Sequence, residues 1–282
     1  MTSAPTHQSS AKTIWIVVGI VVFVILALIG TAVYLVYSAT QRFAEEFESQ
    51  FDGLYYSEDR EHMSAIASSI DSYKDVSGYY PQAAAGPSDV AIDRQASWMV
   101  EIRDFVRHEE EFYHIEQYDP ALPIDDPQNQ AFATQQMYIY QAWEENRGDV
   151  TNWIGIGGVG VDSPEFPLSN PKAGFFGYSR RITPADIKDG RSNTMMIASS
   201  FRNCGSWSAA GDSTVRGLDP GDQPYVGAGR QFGNYSGAIT AFADGSVQKI
   251  SMSIDPSVFE AAATIAGGDT VDFTDPGFTD NY

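Results

Sequence analysis

The sequence predicts an α+β protein in which one long apolar amino-terminal helix leads into a domain of shorter helices and a small antiparallel sheet. Three observations predict it. No charged residue occurs between Lys12 and Arg42. Apolar residues at helical spacing continue as far as Tyr73, and from Met137 onward glycines multiply and the ordered stretches shorten, as strands joined by turns do. With 282 residues, 43% hydrophobic and 19% charged, the chain can bury a sizeable core. Its formal net charge of -20, from 37 Asp+Glu against 17 Lys+Arg, would repel a phosphate backbone and so excludes nucleic acid as a partner.

The apolar run reads "IWIVVGIVVFVILALIGTAVYLVY" from Ile14 to Tyr37. About 20 such residues suffice to cross a bilayer, whereas the apolar region of a cleaved signal peptide is usually about 7–15. Trp15 at one end and Tyr34 and Tyr37 at the other suit the two lipid-water interfaces. The reading is an uncleaved single-pass anchor whose partner is the lipid bilayer. Lys12 precedes the span and Arg42 follows it, the latter amid Glu45, Glu46, Glu48 and Asp52. This favours a cytoplasmic amino terminus and a periplasmic or extracellular carboxy-terminal domain. Cys204 is the sole cysteine, so no intramolecular disulfide forms, and it reads as a buried, unreactive thiol.

The expected organisation is a cytoplasmic tail (1–12), a transmembrane helix (13–41), a juxtamembrane helical stalk (42–57), an exported domain (58–272) and an acidic tail (273–282). Phe43, Phe47 and Phe51 share one helical face of the stalk, which Gly53 interrupts. Ser57 then caps a helix whose apolar positions are Met63, Ile66, Ala67, Ile70 and Tyr73, and Gly78 and Pro81 end it. Trp98, Ile102, Phe105 and Val106 predict a further helix through "ASWMVEIRDFVRHEEEF", and "YDPALPIDDPQNQ" a surface loop. "MMIASSF" and the two arms around Asp244-Gly245 are the strand candidates. In "DPSVFEAAATIAGGD", Asp255 is an N-cap, Pro256 the first helical residue and Gly267 the stop.

Groups suited to catalysis or metal binding are sparse. His108 and His114 stand six apart, which places them on different helical faces, unlike the i, i+4 pair of zinc hydrolases, and no serine sits in G-x-S-x-G. "GIGGVG" (Gly155 to Gly160) matches the dinucleotide fingerprint in letters. Its continuation "VDSPEFPLSNP" cannot form the helix that would meet a pyrophosphate, so the glycines read as a close-packed strand or loop. "PIDDPQNQ" and "KDGRSN" offer oxygen ligands for calcium but lack the spacing of a calcium loop. Calcium is the one candidate cofactor, and no residue takes a catalytic, cofactor or metal role.

Several ordered blocks together resemble the planctomycete family known as domain of unknown function 1559, also labelled bacterial solute-binding protein family 10. Tyr73, Gly78, Tyr80 and Pro81 look like its opening block. "ADIKDGRSNTMMI" is similar to its Asp-Gly-x-Ser-Asn-Thr signature through Asp189, Gly190, Ser192, Asn193 and Thr194. "FADGSVQKI" is similar to its closing signature through Asp244, Gly245, Ser246 and Val247. The resemblance implies a pilin- or pseudopilin-like architecture and no enzymatic activity, with these nine residues in structural roles. Three departures stand out. The prepilin cleavage motif and the early glutamate that pairs with a neighbouring subunit are absent, Asn234 stands where the family often has a histidine, and Ser199 where it often has an acid.

The expected function is a membrane-anchored, non-enzymatic, pilin- or pseudopilin-like protein of the cell envelope, acting in structure, secretion or surface contact with envelope or secretion-system partners. The alternative is a membrane-tethered solute- or calcium-binding module, which requires a concave polar pocket near "GIGGVG" or "KDGRSN". An envelope enzyme ranks below both.

Overall fold

A computed structural model describes residues 8–106, 117–142, 148–268, 271, 274, 275 and 277–279, with the backbone alone for 8–14, 42–55 and 279. The stalk phenylalanines, His7, His108, His114 and most of the acidic tail lie outside the described side chains. The chain divides into two compact units, residues 1–53 and 54–282. Helix α1 (Gln8–Ser77) supplies the described part of the first unit. Its 27 residues Trp15–Gln41 are long and apolar enough to cross a membrane. Their large side chains are exposed. The hydroxyls within the span turn back on the helix: Thr31 donates to the Ala27 carbonyl at 2.8 Å and Thr40 to that of Tyr37 at 2.8 Å. Such self-satisfaction removes the cost of a polar group in an apolar medium.

Gly53 and Ser57 both have helical backbone, so the expected interruption does not occur. One glycine costs a helix only about 1 kcal/mol, which good helix formers on either side outweigh. In the second unit α1 buries Met63, Ile66, Ala67 and Ile70, the stripe the spacing predicts. It ends at Gly78, whose φ of 83° lets its N–H reach the Lys74 carbonyl at 2.8 Å.

Strands β1 (Ala84–Ala85) and β2 (Ala96–Ser97) pair ahead of α2 (Trp98–Ile102), which Ser97 caps by accepting the Met99 N–H at 3.1 Å. The predicted helix here is cut short: a 3-10 turn follows at Arg103–Phe105 and Val106 is extended. A short α3 (Gln130–Ala133) precedes β3 (Val150–Thr151) and β4 (Trp153–Val159). Then come β5 (Met195–Ser199), β6 (Gly205–Ser206), β7 (Val215–Leu218), β8 (Ala238–Phe242) and β9 (Val247–Ile250). Helix α4 (Pro256–Ala262) and β10 (Phe278–Thr279) complete the domain.

The main sheet has five strands in the order β9-β8-β5-β4-β7, with the two-residue β10 added beside β9. It is mixed, not antiparallel throughout, because β4 and β7 run parallel. After β5 the chain reverses and passes over β4 before re-entering the sheet, so β7 opposes β5 and parallels β4. Two apolar clusters flank the sheet. One joins Trp153, Ile197, Val215 and Ile239 to the α1 stripe and to Trp98, Trp207 and Phe176. The other joins Ile154, Ile156, Met195 and Phe242 to Phe259 of α4 and to Tyr225 and Phe232. Strands covered on both faces read as continuous apolar runs, which is why "MMIAS" lacks alternation.

Gly155, Gly157 and Gly158 of "GIGGVG" lie in β4. A Cβ on Gly155 would stand 2.6 Å from the Phe176 ring, and one on Gly158 would stand 2.1 Å from the Lys172 carbonyl oxygen. That close approach brings main-chain oxygens around Arg180. Its Nη1 donates to the carbonyls of Ser163 (3.0 Å), Pro164 (3.3 Å) and Phe166 (2.7 Å), and its Nη2 to those of Gly157 (2.9 Å), Gly174 (3.0 Å) and Phe176. Burial pushes this guanidinium down to about 10, so it stays charged at neutral pH. Replacing it with the similarly long, apolar methionine removes this donor from six inward carbonyls, of which those of Gly157, Ser163 and Pro164 keep a main-chain N–H. Arg180→Met should therefore cost about 3–5 kcal/mol in a denaturant titration, and a loss below about 1 kcal/mol would refute this bonding.

Candidate functional site

The two signature blocks meet. Asp189 follows a 3-10 turn at Pro184–Asp186, where Thr183 and Asp186 form a reciprocal capping box. Its carboxylate accepts the N–H of Gly267 at 2.8 Å and of Gly268 at 2.9 Å, and the Thr264 hydroxyl at 3.2 Å. Helix α4 therefore ends at Ala262, well before Gly267, since the following residues turn to the signature loop. Lys188 N–H donates to the Ile265 carbonyl at 2.6 Å, and Ile265 N–H to that of Ala173 at 3.1 Å. Gly190 has a φ of 96°, and its carbonyl accepts the Asn193 N–H at 3.0 Å and the Thr194 hydroxyl at 3.1 Å. The Asn193 side chain closes the loop on the Asp189 carbonyl at 2.8 Å, while Ser192 is exposed.

Between these residues Arg191 reaches two ways. Its Nε donates to the Ala243 carbonyl at 2.8 Å, and its Nη2 grips both oxygens of Asp71 on α1 at 2.9 and 3.1 Å. Ala243 begins the β8–β9 turn, where Asp244 accepts the N–H of Ser246 at 2.9 Å and its hydroxyl at 2.6 Å. Of the turn pair only Gly245 has a positive φ, 88°. Gly245 N–H donates to Phe242 at 2.9 Å and Phe242 N–H to Ser246 at 2.9 Å. The hairpin thus carries a three-residue loop closed by glycine rather than a two-residue turn with two positive φ angles. Val247 opens β9, opposite Ala241.

Asn234 and Ser199 are also brought close, since Gly233 N–H donates to the Ser199 carbonyl at 2.8 Å. Both side chains serve the backbone: Asn234 accepts the Ser236 N–H at 2.9 Å and Ser199 Oγ the Ile239 N–H at 3.0 Å. The carboxylates weighed for calcium are occupied as well. Asp125 pairs with Arg94 at 2.9 Å, and Asp126 accepts the Gln128 N–H at 2.9 Å. Among the described residues no three His, Cys, Asp or Glu side chains gather where one metal ion could touch them. Cys204 is half-buried, its thiol donating to the Ser200 carbonyl at 3.2 Å.

Two features escaped sequence reasoning. Glu101 of α2 is largely buried and accepts the Gln82 N–H at 2.8 Å, and burial pushes its carboxyl above the ordinary 4.5. The second is a polar cleft of about 170 Å³ beside the edge strand β7. Val161, directly after the glycine run, lines it together with the buried Arg216 and Gln231. Gln231 finishes the strand edge with its side-chain amide, accepting the Asp219 N–H at 3.0 Å and donating to the Gly217 carbonyl. Arg216 is held by the Asp212, Gln231 and Asn203 carbonyls at 2.6, 3.4 and 2.7 Å and by Ser200 Oγ at 3.0 Å. Arg202 and Asp222 form an ion pair on the cleft wall, and Asp212 and Asp219 complete the charged lining. No spacing pattern marks these residues, because β7 and the irregular segments around it, within residues 202–231, deliver all of them but Val161.

Residues 60–202, just over half of the chain, match the family described as protein of unknown function (DUF1559). The chain belongs to the DUF1559 family. The matched stretch contains the Tyr73–Pro81 block and the Asp189–Thr194 signature and stops before Asp244. No curated protein and no solved structure matches the chain.

The DUF1559 signature aspartates do unequal work, and this can be measured. Asp189→Ala removes two charge-assisted main-chain bonds and should cost about 2–4 kcal/mol, whereas Asp244→Ala on the exposed turn should cost about 1 kcal/mol or less. Equal losses in thermal or urea unfolding would contradict the clamp. Glu101 gives a pH signature. Its folded carboxyl titrates above the unfolded one, so its stabilising contribution is complete below about 4.5 and is lost as pH rises through the folded value. Glu101→Gln should therefore gain stability relative to the native chain as pH climbs from below 4.5 to neutrality, and a flat difference would refute the burial.

Proposed function

We propose that this DUF1559 protein is a membrane-anchored, non-enzymatic component of the cell envelope, with its amino terminus cytoplasmic and its mixed domain exported. The observation that carries the reading is the Trp15–Gln41 span, whose large apolar side chains are exposed and suit a lipid environment. The sequence of elements, a long apolar helix and then an α+β domain, supports a pilin- or pseudopilin-like role in envelope structure, secretion or surface contact. The absence of a prepilin cleavage motif and of an acidic residue early in the span favours an anchor that stays in the membrane without polymerising. The signature residues support a structural role, since Asp189 and Asp244 spend their carboxylates on the fold itself.

Fractionation of cells expressing a carboxy-terminally tagged chain tests this. The full-length protein should stay in the membrane pellet after an alkaline wash, and protease added outside the inner membrane should digest the domain. A soluble chain shortened by the apolar segment would identify a cleaved signal sequence and overturn the anchor. A protected domain would reverse the orientation. Crosslinking of intact cells should give a monomer band, and a ladder of copies would argue for a fibre.

A further inference from the structure

We propose that the cleft beside β7 binds a small zwitterion, a free amino acid with a short side chain, its carboxylate directed to Arg216 and its ammonium to Asp212. The proposal adds a ligand to the protein and does not depend on how the chain meets the membrane. Arg216 is the starting point. Its four hydrogen bonds all go to neutral oxygens, three carbonyls and one hydroxyl. A guanidinium carries five N–H donors, so these bonds leave one Nη2 N–H available to an anion. The group is also rigid: Nε is fixed by the Asp212 carbonyl, and Nη2 by Asn203, whose φ of 52° turns its carbonyl inward.

The opposite charge is supplied next to it. Asp212 is exposed, and its carboxylate has no hydrogen bond among the described residues, although its main-chain oxygen holds Arg216. Asp219 spends one oxygen on the Gly221 N–H at 2.8 Å. Arg202 and Asp222 neutralise each other as an ion pair. A guanidinium with one unused N–H and a carboxylate with no hydrogen bond, whose charge already favours the Arg216 cation, therefore share one small cleft, a pattern matched by a molecule carrying both charges. A divalent cation does not fit, because the lining acids do not converge on one point. A bare anion would enter against the field of a chain with net charge -20. A volume of about 170 Å³ lies below the several hundred Å³ of drug-sized pockets and admits only a short side chain.

The test is calorimetric titration of the full-length chain in detergent with glycine, L-alanine and L-serine. Acetate and ethylamine serve as the two half-molecules and L-tryptophan as a bulky control. At least one small amino acid should bind at least about tenfold more tightly than either half-molecule or tryptophan and should raise the melting temperature. Asp212→Asn should weaken that affinity about tenfold or more in a chain that still unfolds cooperatively. No heat and no melting shift at about 10 mM of every small amino acid would overturn the proposal. Acetate or tryptophan binding as tightly as glycine would overturn it too, as would an Asp212→Asn chain with native affinity.

Discussion

Arg180 places a full positive charge inside the domain, and the main-chain carbonyls gathered around it organise the elements that follow. Gly157 contributes from β4, Ser163, Pro164 and Phe166 from the turn beyond it, and Gly174 and Phe176 from the segment that returns across the strand. Desolvating a guanidinium is costly, and only a dense shell of dipoles compensates for it. That shell forms only where backbones approach closely. Gly158 and Gly174 are small for that reason, since a Cβ on either would meet backbone atoms at 2.1 and 2.3 Å, while one on Gly155 or Gly157 would meet the Phe176 or Pro164 ring at 2.6 Å. Once β4 is fixed, β5 and β7 take their places on its two sides.

The signature loop then ties the periphery to this centre. Asp189 binds the glycines after α4, and Arg191 binds both the β8–β9 turn and Asp71. Segments far apart in sequence converge on six consecutive residues. A motif of this kind identifies a fold without naming a ligand, because its polar atoms are spent internally. The cleft beside β7 has a different character: its buried Arg216 guanidinium is fixed in place but keeps one N–H unused.

The two units also differ in how they treat apolar surface. The domain covers three tryptophans completely, and each indole N–H reaches a main-chain carbonyl at 2.8 to 3.0 Å. The Trp15–Gln41 span leaves its side chains uncovered. Burial is the driving force in the first case, and the second presents a surface that suits an apolar medium.

Much of this was legible in the residues alone. The charge-free run fixed the apolar helix, the Met63-Ile66-Ile70 spacing its buried stripe, Asp255-Pro256 the start of α4, and the apolar and Asp-Gly stretches strands β5, β8 and β9. These are local signals, carried by neighbours within one or two turns. The parallel partner of β4, the early ends of α2 and α4, the carbonyl shell of Arg180 and the charged cleft were decided by tertiary structure. Each depends on groups more than ten residues apart whose hydrogen bonds or loop crossings outweigh local preference. Lone arginines such as Arg180 and Arg216 carry no pattern of their own, and only the folded chain shows which oxygens surround them.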